Sequence, residues 1–538
     1  MSCSKLFSED LSTYNIIKYF RNDFSTLHSC ILVNRLWCRL TIPLLWENPF
    51  SRSNTKFIDI YLRNFNNEYE TKLDEYKIKV NPLPPNTQNT LFNYPGFLKH
   101  LNISKVIFTV DNWFIRYRAE QSGNKYFLQD LDYDSANDFK NLIKTSLFRM
   151  FIKNEVNLHT LEIEISSIYK REYYYNTCFN NILELILQNP NFIHNIKDLK
   201  LYTCSSSDFE YHKSGDECDE RTLIKDRITQ IIDLHRNLRK ILLSFGNLSL
   251  YQSLLVSKDS NCSNTLNTIL FYRVNFKSII NLDKAFEQLN VLKSVHIIYC
   301  SLDTGFIQQI INLTKPFKLK SLFLEMNLQI DDSLHLFLQK TGDHLENFRS
   351  RFGYNQKFLE LIMKYCKNIK FLNLYKIDNQ FTHLITNLTE NIKQNLNYLT
   401  IEVLNSFSDE ASPILLQNLG QTLPSKLEYL SLKLCIKTND FVTFLKNSQN
   451  TFIEKLLIMQ EGNENILQCI KKYIMEEGRV KYLAFKNEFN KYSHELHELD
   501  SDLHNSKDEV KEFKSHNIIV KNHEDLCIKI YDFIREID

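Results

Sequence analysis

Apolar residues recur along much of the chain with one fixed spacing: an apolar residue, two others, an apolar residue, one other, and a third apolar residue. The alternation at the end of this template is typical of a short strand that buries one face. Eleven copies occur between about residues 158 and 485: Leu158/Leu161/Ile163, Ile196/Leu199/Leu201, Leu238/Ile241/Leu243, Leu266/Ile269/Phe271, Leu292/Val295/Ile297, Leu319/Leu322/Leu324, Ile369/Leu372/Leu374, Leu396/Leu399/Ile401, Leu427/Leu430/Leu432, Ile453/Leu456/Ile458 and Val480/Leu483/Phe485. A degraded copy, Leu345/Phe348/Ser350, fills one gap, and Ile103/Val106/Phe108 is an earlier candidate.

The copies are evenly spaced and separated by segments of helical period. From Leu266 onward, consecutive copies begin 24 to 31 residues apart, and the segment from Phe306 to Leu313 shows helical spacing of its apolar residues. One strand and one helix per repeat predict an α/β solenoid, in which stacked neighbours form one continuous core. The first two intervals are longer, and the polar stretch Ser205 to Thr222 within them is predicted to be a surface loop.

A further position follows the template. Cys204, Cys300, Cys435 and Asn327 each lie three residues after a last template position, where a side chain can turn inward and meet the backbone of the turn. Template and position together resemble the leucine-rich repeat family. The resemblance implies a curved horseshoe with parallel strands on its concave face. Metal binding by these cysteines is disfavoured, because they come from separate repeats and have no histidines at ligand spacing.

The first fifty residues have a helical pattern of their own. Ser8 can cap a first helix, a second is predicted from Ser25 to Val33, and a third carries Trp37 until Pro43 ends it. Three short helices cannot bury all of these apolar residues. Some of them are therefore expected to face a partner.

The segment LFSEDLSTYNIIKYFRNDFSTLHSCILVNRLWCRLTIPLLWENP resembles an F-box. The match rests on Leu6, Glu9, Leu11, Ile17, Phe20, Leu27, Val33, Arg35, Trp37, Leu45 and Trp46. The sequence departs from the family at Phe7, where proline is usual. The resemblance implies docking on the Skp adaptor, and through it on a cullin scaffold, by Leu6, Phe7, Leu11, Ile17, Phe20, Leu27, Val33, Trp37, Leu44, Leu45 and Trp46. The alternative is a helical cap that packs only on its own repeats.

These patterns divide the chain into an F-box-like helical domain (1–50), a connector (51–102), the repeat solenoid (103–489) and a C-terminal helical cap (490–538). Prolines suggest that the connector is extended, and Phe92, Tyr94 and Phe97 are expected to pin it to the first repeats. In the cap, Leu496, Leu499, Leu503, Val510 and Phe513 predict one amphipathic helix that seals the last repeat.

Composition narrows the classes of function. With 65 Lys and Arg against 64 Asp and Glu, the net charge is +1, so neither nucleic acid nor an anionic membrane is an expected partner. The chain has no apolar run of membrane-spanning length, and acidic residues near its start disfavour a signal peptide, so a cytoplasmic or nuclear location with reduced cysteines is expected. With 10 glycines and no phosphate-loop motif, neither cofactor nor metal is predicted.

The leading hypothesis is therefore a substrate-recognition adaptor of an SCF-type (Skp, cullin, F-box) ubiquitin ligase, without catalytic residues of its own. Residues that flank the template positions point to the concave face, and the candidates for target binding are Tyr202, Tyr272, Phe323 and Tyr375. The competing hypothesis is a leucine-rich interaction scaffold with no ubiquitin role. An enzyme ranks third, since no nucleophile or acid/base pair is apparent.

Overall fold

The computed structural model describes residues 12–21, 23–51, 54–63, 91–120, 133–166, 172–204, 215–234, 237–244, 263–277, 279–325, 332–351, 356–403, 411–461, 464–487, 502–530 and 533. In these ranges, parallel strands alternate with helices in an α/β solenoid-like arrangement, with fourteen strands that follow one another in chain order. The chain forms two compact units, residues 1–267 with 289–291, and residues 268–288 with 292–538.

The first unit contains four of these strands and the N-terminal helices. Its strands are β1 (His100–Asn102), β2 (Thr160–Ser166), β3 (Asp198–Cys204) and β4 (Lys240–Ser244), all paired in parallel. Its described helices are 12–19, Phe24–Ile31, Arg35–Leu45, Lys56–Leu62, Ile103–Glu120, Tyr133–Lys153, Glu172–Gln188 and Gly215–Asp233.

The second unit contains the remaining strands, again paired in parallel. They are β5 (Thr268–Tyr272), β6 (Ser294–Ile298), β7 (Leu319–Leu324), β8 (Asn347–Ser350), β9 (Phe371–Ile377), β10 (Tyr398–Val403), β11 (Lys426–Leu434), β12 (Phe452–Gln460), β13 (Val480–Asn487) and β14 (Ile519–Val520). Its described helices are Leu282–Gln288, Thr304–Ile311, Asp332–Thr341, Gln356–Tyr365, Thr382–Ile392, Ala411–Thr422, Thr438–Asn447, Leu467–Ile470, Lys507–Ser515 and His523–Leu526.

The template is confirmed as the strand signal. Each of the eleven copies and the degraded copy coincides with one of the strands β2 to β13. The register aligns equivalent positions, so that Leu399, Leu430, Leu456 and Leu483 lie side by side. These residues are buried. Along each strand, the residues that alternate with the buried ones point to the opposite side of the sheet. We call that side the helix-free face, because the helices that connect successive strands pack on the other side; the short helix His523–Leu526 lies on it.

The prediction of a strand at Ile103/Val106/Phe108 is wrong. Residues Ile103–Glu120 form a helix, and the strand β1 lies just before it. The template spacing coincides here with helical spacing, because Ile103, Val106, Ile107 and Val110 are all buried on one face. The side chain of Asn102 accepts a hydrogen bond from the amide of Lys105 (2.8 Å) and so caps the helix that the strand template concealed.

Two other boundaries differ from those predicted. Pro43 does not end its helix, which continues to Leu45 and closes with a hydrogen bond from the amide of Trp46 to the carbonyl of Ile42 (3.1 Å). The predicted loop Ser205–Thr222 is helical from Gly215 onward, and residues 205–214 lie outside the described residues. Position 300 behaves as expected: the buried Cys300 Sγ accepts a hydrogen bond from the amide of Val274 (3.4 Å).

The C-terminal region is not the single helix that was predicted. Leu496 and Leu499 lie outside the described residues, Leu503 belongs to a short 3-10 turn, and the next helix begins at Lys507. The Asp502 carboxylate accepts hydrogen bonds from the amides of His504 (3.0 Å) and His523 (3.3 Å) and so caps the turn that begins at Leu503. Ile519–Val520 then forms β14, which places buried Val520 beside Leu483.

Candidate functional site

A row of aromatic rings crosses the helix-free face of the second unit. Successive ring centroids are 5.7 to 6.4 Å apart, the spacing of aromatic pairs that touch, and the row is Tyr272, Tyr299, Phe323, Phe371, Tyr398 and Tyr429. We call it the aromatic row. Parallel register produces its last part directly, since Phe371, Tyr398 and Tyr429 are cross-strand partners.

Arginines lie among the rings at one end of the aromatic row. The guanidinium of Arg349, on β8, is 5.5 Å from the ring centre of Tyr299 and 4.7 Å from that of Tyr375, and Arg273 is 5.5 Å from Tyr272. Such stacking is favourable and orients the guanidinium plane. The Nε of Arg349 is buried and has no hydrogen-bond partner among the described residues. Burial raises the pKa of Tyr299 to about 12, with Arg349 opposing it, so this hydroxyl stays protonated at neutral pH.

The C-terminal region of the chain covers part of the helix-free face, including rings of the aromatic row. We call residues 519–530 together with Phe533 the C-terminal segment. Leu526, Cys527 and Ile528 pack on a cluster formed by Tyr429 of β11, Leu457 of β12 and Ala484 of β13, with Tyr398 beside it. The ring of Phe533 lies 5.0 Å from Phe323 and 5.3 Å from Phe371. The segment therefore spans strands β7 to β13.

The four residues predicted for target binding fall into different places. Tyr202 is half-buried on β3 in the first unit. Tyr272, Phe323 and Tyr375 lie on the helix-free face of the second unit, but Tyr272 and Phe323 are buried and Tyr375 is half-buried beside Arg349. Phe323 packs against Phe533, so its surface is already occupied.

Sequence reasoning missed Phe371, Tyr398 and Tyr429. Each of them immediately precedes the second template position of its repeat, as Tyr482 does in β13. All four residues predicted for target binding lie after the second template position of their repeats. A run of aromatic residues at one place of successive repeats was the available signal, because strands in register stack equivalent positions.

The residues predicted to dock on the Skp adaptor also divide. Leu6, Phe7 and Leu11 lie outside the described residues. Val33 is exposed, and Phe20 and Trp37 are half-buried. Five are buried within the first unit: Ile17, Leu27, Leu44, Leu45 and Trp46. Whether any of the eleven contacts an adaptor stays a prediction.

Trp46 is a packing centre of the N-terminal helices. Its ring lies 4.8 Å from Phe57, 5.1 Å from Tyr61 and 4.4 Å from Tyr94. The turn Pro95–Phe97 packs against the helix Tyr133–Lys153, as expected for a connector pinned to the first repeats, but Tyr94 packs on Trp46. Leu45 and Trp46, which belong to the F-box-like segment, are therefore buried by other residues of the same chain.

Glu47 attaches the N-terminal helices to the first strand. Its carbonyl accepts hydrogen bonds from the amides of Lys99 and His100, both 3.0 Å, as the Lys99 carbonyl accepts from His159 and Thr160 one repeat later. Its buried carboxylate pairs with Arg21 and with Lys99 (2.6 Å). The helices therefore continue the sheet's own bonding pattern, which fixes their position on β1.

An exposed apolar set remains on these helices. It lies on the helix 12–19 and around the turn between Phe24–Ile31 and Arg35–Leu45, and it comprises Ile16, Tyr19, Leu32, Val33 and Leu36. Leu32 is 76 % and Tyr19 is 88 % exposed. Leu32 and Val33 are adjacent in the sequence, and adjoining exposed apolar side chains often mark an interaction site.

Three of the described cysteines are poorly suited to nucleophilic catalysis. Burial raises the pKa of Cys178 to about 11 and of Cys300 and Cys366 to about 12, so these thiols are protonated and weakly nucleophilic at neutral pH. In the ranges that the structure covers, no three His, Cys, Asp or Glu residues converge as metal ligands. Of the helices described, none combines the length and apolar character needed to cross a bilayer.

Comparisons with known proteins add no relative. No family model matches the chain, and no curated protein sequence matches it significantly.

Proposed function

We propose that the chain is a target-binding adaptor of an SCF-type ubiquitin ligase. In this proposal, the N-terminal helices dock on the Skp adaptor, and the helix-free face of the parallel strands binds a target protein. Ubiquitin transfer by other subunits then becomes effectively intramolecular, and no residue of this chain performs chemistry.

One observation carries the proposal: apolar side chains of the N-terminal helices stay exposed although these helices are packed on the repeats. A helical cap that served only its own solenoid would be expected to bury its apolar side chains or to present polar ones. Val33, which the F-box resemblance implies as an adaptor contact, belongs to this exposed apolar set.

The alternative, an interaction scaffold with no ubiquitin role, is favoured by a specific observation too. Leu44, Leu45 and Trp46 are buried inside the first unit, as expected of a cap. Replacing them would damage the fold and so could not test docking. The test must use exposed positions instead.

The deciding experiment measures binding of the full chain to purified Skp adaptor by biolayer interferometry. The variant Leu32→Asp/Val33→Asp places charges in the exposed apolar set. The control Ile115→Asp places a charge on an exposed residue of another helix in the same unit. We expect the double variant to lose at least about tenfold in affinity, the effect of a charge in an apolar interface, and the control to bind like the intact chain.

The outcomes separate the two hypotheses. An intact chain that unfolds cooperatively but does not bind the adaptor would contradict the ligase proposal and leave the scaffold. Equal loss in the double variant and in the control would show that added charge, and not the exposed apolar set, weakens binding.

A further inference from the structure

The helix-free face is more apolar on β11 to β13 than a solvated sheet face requires. Leu457 and Ala484 are 0 % exposed and Tyr429 is 3 % exposed, although they alternate with core residues and so point away from the helices. The C-terminal segment buries them. This part of the face is therefore shaped to receive an apolar chain, and the segment shows how such a chain lies on it.

Beyond Lys521, side chains provide most of the described contacts. The Lys521 amide donates to the carbonyl of Leu483 (2.9 Å), which continues the pairing of β14. Farther along, the Ile528 backbone hydrogen-bonds to Tyr429, while Leu526 and Ile528 contact the face through aliphatic groups and Phe533 through its ring. Leu526, Ile528 and Phe533 are only half-buried. A contact of this kind is exchangeable, because another apolar segment can make it equally well.

The lysine next to the cluster already has acidic partners. Lys433, beside the cluster on β11, is paired with Glu402 (3.6 Å) and with Glu461 (3.3 Å). These pairs satisfy the charges within the sheet, so a partner does not need to supply an opposite charge. The chemistry that fits is an apolar peptide.

We propose that the helix-free face of β7 to β13 is a peptide-binding surface that the C-terminal segment occupies in cis. A target displaces the segment with a peptide of the same chemistry: two aliphatic residues that flank one position, as Leu526 and Ile528 do, and an aromatic residue five positions after the second, as Phe533 is. This inference rests on the proposed function, since it names the kind of target the adaptor would take.

The cis segment competes with any peptide at a high effective concentration, on the order of millimolar for a short connection. The face should therefore bind a peptide weakly in the intact chain and much more tightly once the segment is weakened. This difference is the signature of a surface that the chain itself occupies.

The test uses a fluorescein-labelled synthetic peptide of residues 521–536 and follows its fluorescence anisotropy with the full chain. The peptide starts at Lys521, so it cannot replace β14. The released variant is Leu526→Ala/Ile528→Ala/Phe533→Ala. Its control, Leu336→Ala/Ile414→Ala, removes exposed aliphatic side chains from two helices of the same unit.

We expect the released variant to bind the peptide at least about tenfold more tightly than the intact chain, and the control to match the intact chain. Adding Tyr429→Ala to the released variant should reverse the gain. Equal affinity of the released variant and the intact chain would overturn the proposal, and so would a gain that survives Tyr429→Ala. If the triple variant loses its cooperative unfolding, Phe533→Ala alone replaces it. We then expect the peptide to bind at least about threefold more tightly than to the intact chain. Unchanged affinity would count against the proposal.

The assay contains no Skp adaptor. Failure of adaptor docking would leave its result standing, and failure of peptide binding would leave the docking result standing.

Discussion

Two apolar surfaces of this chain differ in exposure: one is covered by another segment, and the other is exposed. On strands β11 to β13, Leu457 and Ala484 are fully buried because the C-terminal segment lies over them. On the N-terminal helices, Leu32 and Val33 remain 76 % and 58 % exposed. Both surfaces come from stretches with more apolar residues than their own element can bury, but only one of them is covered by a described part of the chain.

The comparison separates residues that hold the fold from residues that are free to bind. A covered residue contributes its transfer free energy and its packing to stability, so its loss destabilises the protein. An exposed residue contributes little, and its loss changes only what binds there. Each of the following predictions tests on which side of this division a residue lies.

The largest effect is expected at Trp46. Trp46→Ala should destabilise the first unit by about 3 to 5 kcal/mol, because it removes contacts with Phe57, Tyr61 and Tyr94 and leaves a cavity. Val33→Ala, thirteen residues earlier in the sequence but at an exposed position, should stay within about 0.5 kcal/mol of the intact chain. Urea unfolding followed by tryptophan fluorescence and circular dichroism measures both. Similar losses in the free energy of unfolding for the two variants would show that the exposed residue stabilises these helices as much as the buried one.

The second prediction concerns pH at the junction of the N-terminal helices and β1. Burial lowers the pKa of His100 to about 4, with Arg21 adding to the effect, and its Nδ1 lies 3.0 Å from Thr160 Oγ1. Since the folded pKa is below the unfolded value of about 6.5, the unfolded chain takes up the proton first. Stability is therefore complete above about pH 6.5 and decreases toward about pH 4, by up to about 3 kcal/mol.

Urea unfolding between pH 7.5 and 4.5 measures this dependence. His100→Gln keeps a polar group of similar size and cannot be charged, so its stability should fall less steeply in acid. Burial also lowers the pKa of His159, and a smaller slope should therefore remain. Identical slopes for the intact chain and the variant would assign the acid sensitivity to other groups.

A third, smaller effect is expected at Glu47. Glu47→Gln keeps the carbonyl that accepts from Lys99 and His100 but removes the charge that pairs with Arg21 and Lys99. Because both basic partners are partly exposed, the cost should be about 1 to 3 kcal/mol, below that of a fully buried pair. Lys393→Gln, which removes an exposed pair with Glu390, is the control and should cost less than about 0.5 kcal/mol. Equal losses would mean that Glu47 acts mainly through its backbone.

The strands were the most predictable part of the molecule. A repeat that buries the same positions in every copy makes the strand signal redundant, so even the degraded copy around Phe348 was placed correctly on β8. The failures have local causes. At Ile103 the strand template matched a helical face, and at Pro43 the helix continues for two residues beyond a proline that removes one amide donor.

The candidate site was predictable only in part. Tyr272, Phe323 and Tyr375 lie on the helix-free face, as alternation along a strand predicts. Phe533, which covers Phe323, lies more than two hundred residues later in the chain. No periodic pattern in the sequence predicts this contact. Contacts between distant segments depend on tertiary packing, which a local pattern does not encode.

The smallest global effect, and the one that most sharpens the comparison, is expected at Phe533. Phe533→Ala removes ring contacts with Phe323 and Phe371, yet the half-buried side chain should contribute only about 1 kcal/mol to global stability. Its effect should be local, because in our proposal Leu526, Ile528 and Phe533 leave the face while the strands, including β14, stay folded. Hydrogen exchange of the Ile528 amide should accelerate about fivefold, and that of Leu456 on β12 should not change. If both amides accelerate together, the C-terminal segment unfolds only with the strands. The surface on β11 to β13 would then be a permanent part of the core, and a partner could not bind there.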